Sequence, residues 1–261
     1  MEFKDIRDIV DWNVYWLLFM AAEFSLLAAL PYSITMSGEA LYDMAMAVPD
    51  ILAAQFARST VIFLIGIFTG LYLGKKVGLK TPVLSSLFED RQLPLDFKPV
   101  FKLSVLFGLI ISLLILIFDT FVFTRYSESM LIYLTSPPLW ERFLYSIYIS
   151  VVEEIVLRFF LVTLLVWISW KIKKNPEGNP TNIGVWISII IVSSIYAFVY
   201  LLSSKENMDP ALVMRIAVFN LIAGTGFGWV YWKKGLEYSI IANFVATAML
   251  FVVFGSLIHL V

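Results

Sequence analysis

The stretch Val151-Val152-Glu153-Glu154-Ile155-Val156-Leu157-Arg158-Phe159-Phe160 sets three charges inside an apolar run from Phe143 to Trp170. A charge near the middle of a bilayer costs about 3 kcal/mol or more unless it is paired or faces a cavity, so two adjacent glutamates there need a reason. On a helix Glu154 and Arg158 stand at i and i+4, with the acid on the N-terminal side, which is the favourable order for an ion pair. Glu153 points about 100° away from Glu154 on an α-helix, and no basic residue lies three or four positions from it. Glu154 therefore reads as a structural partner of Arg158. Glu153 reads as the spare carboxylate, free to act as a general base toward water.

Holding such groups takes a membrane bundle. At 261 residues, 60% hydrophobic and 15% charged, with a mean hydropathy of +0.86, the chain is too apolar for a soluble domain and long enough for several spans. Runs of about 20 apolar residues can cross a bilayer. Seven occur, at about 12–34, 51–74, 100–123, 142–170, 184–203, 211–232 and 236–258. They predict an all-α polytopic membrane helical bundle of about seven transmembrane helices. It forms a single integral membrane domain, with N-terminal helices over 1–135 and a motif-bearing core over 136–261.

The connections after the second, fourth and sixth spans hold Lys75, Lys76, Lys80, Arg91, Lys98 and Lys102, then Lys171, Lys173 and Lys174, then Lys233 and Lys234. The first connection on the other side, Pro31 to Asp50, has no Lys or Arg. The positive-inside rule then predicts a cytoplasmic N-terminus and an external C-terminus. Met1 to Asp11 carries four acids against two bases before a long apolar run, which reads as an uncleaved first span.

Leu84, Leu87 and Phe88, beside Glu89, Asp90 and Arg91, fall on one face of a short helix expected at the membrane interface. Gly38 to Pro49, with Leu41, Met44 and Met46, reads as a second interfacial piece or a flap. Asn175 to Asn182 is a loop. Gly224 and Gly228, four apart, should let another helix approach closely. Asn220, Asn243 and Thr247 are intramembrane polar groups that should face the bundle.

A net charge of −1, a pI near 5.9 and the lack of a large basic patch give no footprint for nucleic acid. Cysteine is absent and His259 is the single histidine. Zinc sites need three or four His, Cys or carboxylate ligands, so a metal hydrolase is hard to build from this inventory and no metal or cofactor is implied.

The run Glu153-Glu154-Ile155-Val156-Leu157-Arg158 resembles the EExxxR motif of the CPBP family of CAAX proteases and bacteriocin-processing or abortive-infection-like proteins. Val192-Ser193-Ser194-Ile195-Tyr196-Ala197-Phe198 is similar to the serine-rich helix that holds the family's second motif. Gly226 to Leu236, followed by Tyr238 to Asn243, is similar to the helix, basic turn and helix that hold the third. The resemblance covers about residues 140 to 255. It implies that Glu153 activates a water for attack on a peptide carbonyl, while Glu154 pairs with Arg158. The second motif, FxxxH, has Leu202 four residues after Phe198, or Leu201 in the other register, and the third, HxxxN, runs from Asn243 to Thr247 with both polar positions altered. Both family histidines are missing. Asn243 could donate an N–H to an oxyanion with Thr247, Tyr196 or Tyr200 assisting, and Tyr196, Phe198, Tyr200, Asn220 and Thr247 are the candidate substrate contacts. His259 lies about four helical turns beyond Asn243, too far to substitute.

Three functions fit this pattern. A degenerate member of the family keeps the helix and the cavity, and binds a membrane-associated peptide or a prenylated or leader-bearing protein, as in self-immunity. An active glutamate-type intramembrane endopeptidase cuts CAAX-like or leader peptides. A transporter uses Glu153 as a proton or cation site. Each works within the lipid bilayer.

Overall fold

The computed structural model describes residues 10–42, 48–88, 97–124, 136–203 and 209–258. Among them there is no strand, only an isolated bridge between Lys174 and Pro180 that closes the 173–181 loop. The helices are α1 (Trp12–Ala28), α2 (Leu30–Tyr42), α3 (Val48–Val77), α4 (Pro82–Phe88), α5 (Phe97–Phe118), α6 (Leu139–Tyr148), α7 (Thr163–Ile172), α8 (Asn182–Ser203), α9 (Pro210–Lys234), α10 (Leu236–Ala248) and α11 (Gly255–Ile258). Three π-helical segments join or extend them without a break, at Asp119–Phe123, Ile149–Val162 and Met249–Phe254. The chain is an integral membrane protein: among the described residues six helices are long and apolar enough to cross a bilayer. The seventh expected span lies in the continuous rod 139–172, which is long enough to cross but carries Glu153, Glu154 and Arg158 at its centre and is not among the six.

Local chemistry sets the ends of these elements. Asp11 caps α1 by accepting from the N–H groups of Asn13 and Val14 at 3.1 and 3.2 Å. Gly78 ends α3 in a left-handed conformation, φ +78°. The N–H of Leu79 then donates to the Gly74 carbonyl at 3.0 Å, closing a Schellman-type terminus. Asp209 caps α9 just ahead of Pro210, whose missing N–H costs nothing in the first turn. Gly235, at φ +116°, is the whole connection between α9 and α10.

The rod 139–172 lies inside the bundle. Its π segment packs against α1, α3, α8, α9 and α10. Ile155, Phe159 and Val162 are buried in one core with Val14, Phe63 and Ile189. Phe24, Ile65, Leu113 and Ile187 are exposed on the outer surface. In a bilayer this apolar exterior carries no penalty, because lipid tails are as apolar as the side chains. Close helix approach follows from small residues: a side chain at Gly224 would run into Ser193, and one at Gly228 would meet Ile189 at 2.6 Å. The expected small-xxx-small face is thus the seam between α8 and α9.

The short interfacial helix appears as α4; Glu89, Asp90 and Arg91 lie outside the described residues. Gly38 to Tyr42 continues α2 as helix, and Asp43, Met44 and Met46 of the expected flap lie outside the described residues, as does His259.

Candidate functional site

The three motif charges sit in the π-helical segment Ile149–Val162, not in an α-helix. A π-helix closes i→i+5 hydrogen bonds, and such segments frequently mark functional sites. Glu154 and Arg158 still meet, Nη1 to Oε1 at 3.3 Å, with Glu154 fully buried. Two side chains of α10 complete the carboxylate's shell. Asn243 Nδ2 donates to Glu154 Oε1 at 2.9 Å, and the Ser239 hydroxyl donates to Glu154 Oε2. Ser239 also reaches the Phe227 carbonyl at 2.9 Å. Arg158 is further held by the Ala223 carbonyl at 3.4 Å and by the Phe227 ring, 5.6 Å from its guanidinium carbon. Glu154 is therefore a hub that ties the central rod to α9 and α10. A buried pair with this many additional partners can offset its desolvation.

Glu153 faces the other way. Its Oε1 accepts from the Tyr196 hydroxyl of α8. It opens into a cavity of about 210 Å³ that Tyr145, Tyr200, Asn220, Asn243 and Thr247 also line. Apolar side chains of α5, α9 and α10, among them Ile115, Phe219 and Ala246, make up the rest of the wall. Of the candidate contacts, Tyr196, Tyr200, Asn220, Asn243 and Thr247 come together at this cavity. Phe198 does not: it is 60% exposed. Two residues along an α-helix turn a side chain by about 200°, so Phe198 faces lipid while Tyr196 and Tyr200, one turn apart, reach the cavity.

The polar groups at the wall are mostly spoken for. Asn220 Nδ2 donates to the Ile216 carbonyl of its own helix at 2.9 Å. Thr247 donates to the Asn243 carbonyl at 2.9 Å, with the Ser146 carbonyl of the central rod at 3.5 Å. Of the three intramembrane polar residues, Asn243 makes the strong interhelical bond. Its amide, expected to serve an oxyanion, is engaged with Glu154.

Ser239 and Tyr145 belong to the site and were not singled out from sequence. Ser239 stands four residues before Asn243, on the same helical face. That spacing was a readable signal. Among the described residues no group of three His, Cys, Asp or Glu side chains is placed to hold a metal ion.

No curated protein and no solved structure matches the chain. One family model does, described as type II CAAX prenyl endopeptidase Rce1-like, over residues 135–249. Those residues contain the central rod with Glu153, Glu154 and Arg158, the Tyr196 helix and the Ser239–Asn243 face, so the stretch that builds the candidate site is the stretch similar to the Rce1-like family.

Proposed function

We propose that this protein binds a membrane-embedded peptide segment in the cavity headed by Glu153 and does not cut it. The observation that carries this reading is the engagement of Asn243 with Glu154 at 2.9 Å. It takes up one of the two N–H donors of the amide best suited to stabilise an oxyanion and holds that amide against a carboxylate, and removal of one such donor commonly costs about 100- to 1,000-fold in rate. The other polar side chains on the wall are phenols, an amide and an alcohol. None titrates near neutral pH as an imidazole does, so none is matched to protonating a leaving amine. What remains suits recognition. A carboxylate that accepts from one hydroxyl has further lone pairs for the N–H groups of an unpaired backbone, and the apolar wall takes side chains. In a bilayer those backbone groups must be satisfied by protein, so a single buried acceptor carries weight.

One observation favours the catalytic alternative: Glu153 and Asn243 share the cavity. The test is a panel of CAAX-type and leader-type peptides presented to purified protein in bilayers, wild type beside Glu153→Gln. We expect peptide binding without cleavage in wild type and weakened binding in the variant. Cleavage in wild type that disappears in Glu153→Gln would replace this proposal with a glutamate endopeptidase working without histidine.

A further inference from the structure

Among the described residues that line the Glu153 cavity, Glu153 is the one charged side chain, and there is no Lys or Arg. Arg158, five residues further along the rod, is committed to Glu154 at 3.3 Å and to the Ala223 carbonyl at 3.4 Å. Two glutamates thus share one arginine, and the carboxylate at the cavity has a neutral phenol for its hydrogen-bond partner. The hydroxyl protons nearby are spent on protein, that of Tyr196 on Glu153 and that of Thr247 on the Asn243 carbonyl at 2.9 Å. Asn220 and Asn243 each direct an N–H at protein, to the Ile216 carbonyl and to Glu154, both at 2.9 Å. Each keeps its amide oxygen as an acceptor. Away from these groups the wall is aliphatic, with Ile111, Ile115, Ile149 and Leu250 around about 210 Å³ of space.

A negative charge, spare acceptors and an aliphatic sleeve together complement a primary alkylammonium, which brings a positive charge, three donors and no acceptor. We infer that the cavity recognises the ammonium of a lysine side chain in the membrane-embedded peptide, seated against Glu153 with its methylene stem along the isoleucines. This rests on the peptide-binding reading above and names the side chain that the site selects. A lysine at mid-bilayer depth is strongly disfavoured in lipid, as is an unpaired glutamate, so each gains from the contact. Arginine fits less well. Its planar fork is best met by two free carboxylate oxygens, and one oxygen of Glu153 already accepts from Tyr196.

The test uses the full-length protein in phosphatidylcholine nanodiscs with dansyl-labelled apolar helical peptides of about 20 residues, long enough to span. They differ at one central position, which holds lysine, N-acetyl-lysine, norleucine or arginine, and binding is read by energy transfer from the protein's tryptophans. Wild type should bind the lysine peptide about ten- to a hundredfold more tightly than the norleucine peptide, the range for a hydrogen bond to a charged group. N-acetyl-lysine, with the same stem and a neutral head, should bind like norleucine. Glu153→Gln should abolish the lysine preference whatever becomes of the absolute affinities, and Glu153→Asp should restore part of it, with thermal unfolding curves confirming that each variant is folded. The N-acetyl-lysine comparison changes the ligand alone, so it decides the matter even where a variant fails to fold. Equal binding of the lysine and norleucine peptides would overturn the ammonium site and leave peptide binding standing. Arginine binding as tightly as lysine would overturn the assignment to a primary ammonium. Preferential cleavage of the lysine peptide would overturn the binding-only reading and keep the ammonium site, whereas binding of none of the peptides would overturn both. Loss of the lysine preference once phosphatidylethanolamine is added to the nanodiscs would assign the site to a lipid amine and overturn the peptide assignment.

Discussion

Asn243 and Arg158 hold the same oxygen: the amide of Asn243 donates to Glu154 Oε1 at 2.9 Å while the guanidinium of Arg158 approaches it to 3.3 Å. Glu154 is fully buried, so removing Arg158 leaves a carboxylate without a counter-charge in a water-poor core. Arg158→Ala should destabilise the protein by about 3–5 kcal/mol. Glu153→Gln keeps an acceptor for Tyr196 and should stay within about 1 kcal/mol of wild type. Thermal or denaturant unfolding of the two variants in matched detergent tests this, and equal losses would refute the division of labour between the two glutamates.

A second prediction concerns Tyr196, whose hydroxyl donates to Glu153. Tyr196→Phe keeps the ring but strands the carboxylate, at an expected cost of about 1–3 kcal/mol. If that cost comes from the lost hydrogen bond, adding Glu153→Gln should remove most of it, since a neutral amide tolerates desolvation better than a charge. A double-mutant cycle reads the coupling directly. Additive effects would mean that the phenol supports α8 and not the carboxylate.

The Glu154–Arg158 pair was legible because an i,i+4 pair survives a change of helix type: Arg158 reaches Glu154 although the segment is π-helical. Gly224 and Gly228 were legible as a packing face, because a glycine pair one turn apart has few other uses in a membrane. The π segments were not. Their i→i+5 pattern leaves no compositional mark, and each depends on how neighbouring helices pack against it. Tyr145 was also invisible as a site residue, since it sits two helical turns before Glu153 among other aromatics. Asn243 was expected to face an oxyanion, and in the fold its amide meets Glu154 at 2.9 Å. Sequence fixes which face of α10 it occupies, whereas its partner there depends on how α10 is rotated against the rod.

The same blindness applies to Asp119 and Arg215, which sequence reading passed over. They form a buried pair at 3.3 Å between the π end of α5 and the first turns of α9, with the guanidinium carbon 5.4 Å from the Phe123 ring centre. Both are almost completely buried. Asp119→Ala should cost about 3–5 kcal/mol, because it leaves Arg215 charged in the core, whereas Asp119→Leu with Arg215→Met should recover most of that loss. Unfolding midpoints of the single and double variants decide the matter. A double variant as unstable as the single one would mean that the pair supplies more than compensation of its own charges.

Topology gives the last prediction. The absence of cysteine makes the protein its own background for single-cysteine labelling. The rod 139–172 begins just after exposed Ser136 and ends at exposed Ile172, so residues 136 and 173 should lie on opposite sides of the membrane if the rod crosses it. The lysines crowd the end that holds Lys171, Lys173 and Lys174, so the positive-inside rule predicts that end on the cytoplasmic side. Lys173→Cys should therefore be shielded from a membrane-impermeant maleimide added to intact cells and react only after permeabilisation, while Ser136→Cys should react in intact cells. The reverse pattern would invert the orientation. Labelling of both positions from one side would mean that the charged rod does not cross the bilayer, and Glu153 would then lose its claim to an intramembrane site.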